Sequence, residues 1–229
     1  MSRMPRTTIR PPAGEAVPRV RRGYFECRFG QLHVHHAMPP GGGFEEGTAL
    51  VCLHGAAGSG RMFRAFLTFL GRDRSVYAPD VPGCGESDGP EQPAATAQYA
   101  AAIADFLDTM RLRTVDVLAQ GAGAVLAVEL ALTRAAQVRR IVLASVPPGS
   151  GAAAPGDFGA AAYPWRERLA RVTQPLLVLR PRDASWDAGA RVREAQPAAR
   201  LVDFPDQGEE LFQSVPGAVA DAVRPFLRG

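Results

Sequence analysis

Lysine is absent from the 229 residues, so every basic side chain is arginine. With 26 basic against 23 acidic side chains the formal charge is only +3, and no arginine cluster is interleaved with aromatics. A nucleic-acid surface needs a concentrated basic and stacking face, so no nucleic-acid partner is expected. Cysteine is scarce: Cys27, Cys52 and Cys84 are far apart and form no CxxC pair. That pattern indicates neither a disulfide framework nor a zinc site, and it fits a reducing compartment. No histidine follows His54. No run approaches the roughly 18 apolar residues of a membrane span. The opening stretch "MSRMPRTTIRPPAGEAVPRVRRG" is rich in Pro and Arg but lacks the apolar region of a signal peptide. These absences predict a cytoplasmic protein with no membrane partner and a disordered tail over residues 1–22.

What is present reads as one domain over residues 23–229, because a chain that is 46 % hydrophobic can bury a single large core at this length. "YFECRF" and "QLHVHHAM" alternate around Gly30 and predict a hairpin, and "GGGFEEG" a turn into the continuous apolar strand "TALVCL". "GRMFRAFLTFL" has helical spacing, "SVYAPD" is a strand, "VPGCGESDGPEQP" a loop, and "AATAQYAAAIADFLDTM" a helix. Further strands follow in "TVDVLA", "VRRIVLAS", "PLLVLRPRD" and "ARLVDFPD", with "PGAVADAVRPFL" as the closing helix. The alternation predicts an α/β fold with a doubly wound, mostly parallel sheet and an antiparallel N-terminal hairpin. Any pocket then lies at the carboxyl ends of the strands. Residues 146–173 sit where a lid would be, but are Gly/Ala/Pro-rich in their first half and helical at most in "WRERLARV". There is no internal repeat.

The most informative stretch is "VDVLAQGAGAVLAVELA", Val115 to Ala131: a strand, a cluster of small residues, and a helix. A Gly-x-Ser-x-Gly elbow places its nucleophile on such a turn. Here the register is Ala119-Gln120-Gly121-Ala122-Gly123, with no hydroxyl, thiol or carboxylate at its centre.

From Gly23 to Leu227 the chain resembles the α/β-hydrolase superfamily. "LVCLHGAAGSGRMF" is similar to the strand and oxyanion loop, "VYAPDVPGCGESD" to the Pro-Asp-x-Pro-Gly-x-Gly-x-Ser segment, and "VDVLAQGAGAVLA" to the elbow. "QPLLVLRPRD" resembles the strand and turn that deliver the catalytic acid, which the resemblance places at Asp183. In "ARLVDFPDQGEELFQSVPGAVADAVRPFL" the position of the catalytic His falls on Glu209. Two of three triad members therefore differ, and acyl transfer by Ser-His-Asp chemistry cannot run without an attacking atom and a near-neutral base. In a related triad enzyme, loss of the nucleophile costs about 10⁶ in kcat.

The resemblance implies an oxyanion hole from the backbone N–H groups of Ala56 and Ala122, which need no particular side chain. Asp183 and Glu209 facing one pocket would form an acid/base pair, since neighbouring carboxylates drive their proton affinities apart. Such a site suits enolisation, dehydration, decarboxylation or cyclisation of a small carbonyl compound, with bacterial secondary metabolism as one setting. Three readings stand. The first is a cofactor-independent enzyme of lyase, isomerase or cyclase type. The second is a pseudoenzyme that binds a small ligand or a partner protein through a relic pocket, its carboxylates merely solvated. The third is an esterase with a relocated nucleophile, Ser145 or Cys84.

Each remaining candidate has two readings. His54 either supports the oxyanion loop or takes part in chemistry. His33 and His35 share a strand face opposite His36, but spacing supplies no third ligand, so no metal is expected. Gln120 either bonds a ligand or caps the helix. Tyr163 and Trp165 either roof the pocket or belong to the core.

Overall fold

The computed structural model describes residues 17–40, 47–56, 58–92, 94–147 and 157–229. The sequence-predicted tail over 1–16, most of the "GGGFEEG" turn and the start of the lid, 148–156, lie outside the described residues. The chain runs β1 (Arg21–Cys27), β2 (Gly30–Ala37), β3 (Gly47–Leu53), α1 (Arg64–Leu70), β4 (Arg74–Pro79), α2 (Thr96–Thr109), β5 (Val115–Gln120) and α3 (Gly123–Thr133). It continues with β6 (Val138–Ala144), α4 (Trp165–Ala170), β7 (Leu176–Pro181), α5 (Trp186–Ala195), β8 (Arg200–Phe204), α6 (Leu211–Ser214) and α7 (Pro216–Arg228).

The strands form one sheet in the order β1-β2-β4-β3-β5-β6-β7-β8. β1 with β2 and β2 with β4 are antiparallel, and every other pair is parallel. Every residue of β4 and β5 is buried, as expected of interior strands covered on both faces. One face of the sheet packs against Ile103 and Phe106 of α2, Val125 and Val128 of α3, Leu169 of α4 and Val192 of α5. The other packs against Phe66 and Leu70 of α1, Phe212 of α6, and Val219 and Val223 of α7. The buried residues of α7, Val219, Ala220, Val223, Phe226 and Leu227, recur at three- and four-residue intervals and make one apolar stripe.

Each strand read from the sequence is present. β1 begins at Arg21, inside the expected tail, because Arg21 and Arg22 pair with His36 and His35 across the hairpin. Two helices had no counterpart in the sequence reading, α5 and the four-residue α6. The segment "GRMFRAFLTFL" divides into a 3-10 turn over Gly60–Phe63 and α1.

Candidate active site

The strand-to-helix turn between β5 and α3 falls on Gly121, whose φ of +54° is the left-handed conformation that side chains resist. The Gly121 N–H donates to Ala144 O at 3.0 Å, and its carbonyl accepts from Ala124 N–H at 3.0 Å. A Cβ at Gly121 would meet only Gly55 Cα, at 3.6 Å. Space for a side chain therefore exists where this chain has hydrogen. Two residues on, a Cβ at Gly123 would come within 2.5 Å of His54 O, so only glycine lets the first turn of α3 lie against the end of β3. Ala122 heads α3 without a side-chain cap, and N–H groups in the first turn of a helix lack intrahelical partners and carry partial positive charge.

The turn opens into a cavity of about 480 Å³. Ala56, Gln120, Gly121, Ala122, Ser145, Asp183 and Glu209 all line it. Of the residues expected at the site, only His54 stands behind the surface. It is wholly buried; its Nδ1–H donates to Gly55 O at 2.8 Å and its Nε2 accepts from Val81 N–H at 2.8 Å. Both ring nitrogens are thus occupied in the neutral tautomer, and burial holds its pKa below the usual imidazole value. His54 fastens the oxyanion loop to the loop after β4.

Asp183, half-buried after β7, is held by three donors. Its Oδ2 accepts from Ser145 Oγ at 2.6 Å, and its Oδ1 accepts from Ser185 N–H at 2.8 Å and Ser185 Oγ at 2.6 Å. Ser185 was missed in the sequence, although the Asp-Ala-Ser spacing, in which a carboxylate bonds the backbone two residues on, is a turn signal. Ser145 ends β6 at φ +49°, an unusual conformation for a residue with a Cβ.

Glu209 enters differently. Gln120 Nε2 donates to its backbone carbonyl at 2.8 Å, and Arg182 N–H donates to Gln207 O at 2.6 Å, so the loop after β8 is tied to the elbow and to the Asp183 loop. The Glu209 side chain is exposed and has no hydrogen-bond or ion-pair partner among the described residues. No hydrogen bond among the described residues joins it to Asp183, although the two carboxylates line one cavity, as expected from the sequence. Gln120 does not cap α3; one amide N–H positions the Glu209 loop, while its Oε1 has no hydrogen-bond partner among the described residues.

Three further candidates take definite places in the structure. Tyr163 and Trp165 are core residues at 8 % exposure each, and neither lines this cavity. The Tyr163 hydroxyl instead donates to buried Glu129 at 3.0 Å. Cys84 packs against the core away from the cavity, and burial raises its thiol pKa, which weakens it as a nucleophile. Third, the loop after β4 supplies what the spacing of His33 and His35 does not: Asp80 completes a buried cluster with them, its potential ligand atoms within 4.8 Å of one another. Asp80 was hidden by its 47-residue separation from His33, bridged by a 2.9 Å contact between His33 Nδ1 and Asp80 Oδ2.

Residues 50–228 match the sequence profile of the alpha/beta hydrolase family, and the chain belongs to that family. Solved structures with the same fold include naproxen esterase (carboxylesterase NP) from Bacillus subtilis, with 19 % identity, a TM-score of 0.75, and coverage of 91 % of this chain and 92 % of that one. A hydrolase from Pseudomonas aeruginosa PA01 superposes with a TM-score of 0.79 at 20 % identity, covering 91 % and 98 %. A Bacillus subtilis (strain 168) protein provisionally named 2-succinyl-6-hydroxy-2,4-cyclohexadiene-1-carboxylate synthase is 32 % identical over 103 residues. That match spans 44 % of this chain and 37 % of the relative's length. Among the described residues no helix is long and apolar enough to cross a membrane.

Proposed function

We propose that the cavity at Gly121 binds a small carbonyl compound and performs non-hydrolytic proton transfer on it, of lyase, isomerase or cyclase type and without a cofactor. The observation that carries this reading is a retained elbow with an empty centre. Gly121 keeps the left-handed turn and Ala122 still heads α3, but no attacking atom sits between them. Backbone N–H groups aimed at a carbonyl oxygen stabilise the negative charge that develops when a neighbouring carbon loses a proton. Glu209 is the unpartnered carboxylate lining the same cavity and takes the role of base. Asp183, already engaged by Ser145 and Ser185, holds the Ser145 hydroxyl in place. The partial relative named as a synthase lends modest support.

The test is deuterium exchange. Small ketones and keto acids such as pyruvate are incubated with the protein in D₂O, and loss of the proton beside the carbonyl is followed by NMR. Catalysed exchange is expected, and Glu209→Gln should slow it by roughly 10² to 10⁴, the usual worth of general acid/base catalysis. Exchange at the same rate in Glu209→Gln would remove Glu209 from the mechanism. The engagement of Asp183 favours a second reading, a binder of a small ligand or partner protein without chemistry. It predicts bound carbonyl compounds, modest affinity changes in both carboxylate variants, and no exchange with any compound.

A further inference from the structure

On the other side of the 3-10 turn lies a second cavity, of about 690 Å³. Gly58 and Met62 line the cavity at Gly121, whereas Ser59, Arg61 and Arg64 line this one. Its other walls include Arg22 from β1, His35 from β2, and Asp80 and Glu86 from the loop after β4. Three arginines therefore line it together with a histidine that is only 6 % exposed, and whose Nδ1 is buried without a hydrogen-bond partner.

The acidic groups of the cavity are already engaged. Asp80 Oδ1 accepts from Gly60 N–H at 2.7 Å, and its Oδ2 takes His33 Nδ1 and Glu86 N–H, each at 2.9 Å. Glu86 accepts from the Tyr24 hydroxyl at 2.6 Å and pairs with Arg22 at 3.6 Å. Arg61 and Arg64 have no hydrogen-bond or ion-pair partner among the described residues. The His33, His35 and Asp80 cluster has the count of a cation site, but the surroundings decide against one. A divalent ion would have to displace backbone donors from Asp80 while facing Arg22, Arg61 and Arg64. Guanidinium forks match oxyanions, and with both acidic groups of the cavity already engaged, Arg61 and Arg64 are left to attract one.

We propose that this cavity is a binding site for a small oxyanion-bearing ligand, a carboxylate or phosphate, held by Arg61 and Arg64 against the ring of His35. Burial and His33, opposed by Asp80 and then aided by Arg64 and Arg22, hold His35 toward its neutral form, so the arginines supply the charge.

The test is calorimetric titration and thermal unfolding of the full chain with inorganic phosphate and with citrate, separately and at constant ionic strength. Saturable binding with a Kd of about 1 mM or tighter is expected for at least one of them, and the tighter one assigns the class. The surface double variant Arg61→Gln/Arg64→Gln should bind about tenfold or more weakly, with Arg171→Gln, on the far end of α4, unchanged. His35→Gln should weaken binding while folding normally. Absence of saturable binding of both anions, or equal binding by the double variant, overturns the proposal. So does zinc binding that is lost in His35→Gln while neither anion binds.

Discussion

The hydroxyl of Ser145 donates to Asp183 Oδ2 across 2.6 Å, from a backbone held at φ +49°. The two residues follow neighbouring parallel strands, so the sheet itself sets their approach. Left-handed backbone at a non-glycine residue costs of order 1–3 kcal/mol and persists where surrounding structure imposes it, often at functional sites. A serine bonded to a carboxylate in the cavity at the head of α3 is also the arrangement that a relocated nucleophile would use.

Serine chemistry at that position is nonetheless expected to be absent. Activation needs a base near neutral pH, and His54 has both nitrogens occupied behind the cavity wall. The purified protein should hydrolyse p-nitrophenyl acetate at the background rate and resist a fluorophosphonate probe. Stoichiometric labelling mapped to Ser145 would establish the esterase reading in place of the one proposed.

Substitutions two residues apart in the elbow should differ sharply. Gly121→Ser has space, with Gly55 Cα at 3.6 Å, and should cost only the left-handed penalty of about 1–2 kcal/mol. For a chain of this size that lowers Tm by roughly 2–8 °C. Gly123→Ala drives a Cβ to 2.5 Å from His54 O and should cost several times more or prevent folding. Equal losses in thermal unfolding would show that the turn is not on Gly121.

Stability should also fall in mild acid. Burial lowers the pKa values of His35, His36 and His54 below the ordinary imidazole value. Above about pH 6.5 both folded and unfolded states are neutral at these sites and the fold keeps its full stability. Below it the unfolded chain takes up protons that the folded chain refuses, so stability is lost as the pH falls. The urea midpoint should drop between about pH 7 and pH 5, before most carboxylates titrate, and His36→Gln should make the slope shallower. A flat profile over that interval would contradict neutral buried imidazoles.

The parts of the fold visible in the sequence were those whose burial is nearly complete. β5 and α3 are buried almost throughout, and their junction could be placed on Gly121 from the small-residue cluster and the register of the elbow motif. α5 escaped because its inward face is Ala188, Gly189 and Val192, too small and sparse to make an apolar stripe. Asp183 and Glu209 were placed by the resemblance of their segments to the acid and histidine loops of the α/β-hydrolase superfamily, and both line the cavity. What sequence could not convey was which atoms meet across it. Gln120 reaching the Glu209 carbonyl and Asp80 reaching His33 depend on sheet order and loop return, over separations of 89 and 47 residues.

The strand that carries the elbow is anchored by a buried charge cluster, and its removal should be costly in an asymmetric way. Asp116, fully buried on β5, accepts from Arg139 at 3.0 and 2.7 Å and lies 3.5 Å from Arg74, itself 1 % exposed. Asp116→Leu strips a buried guanidinium of one of its two carboxylate partners, the other being Asp73 at 3.5 Å, and should cost about 3–5 kcal/mol in urea unfolding. Arg139, with its side chain 31 % exposed, can turn to solvent, but Arg74 cannot. Asp116→Leu/Arg74→Leu should therefore lose less than the sum of the single variants, because the double change buries no uncompensated charge. A loss below about 1 kcal/mol for Asp116→Leu would mean that water reaches Arg74, and strict additivity would mean that the two charges do not interact.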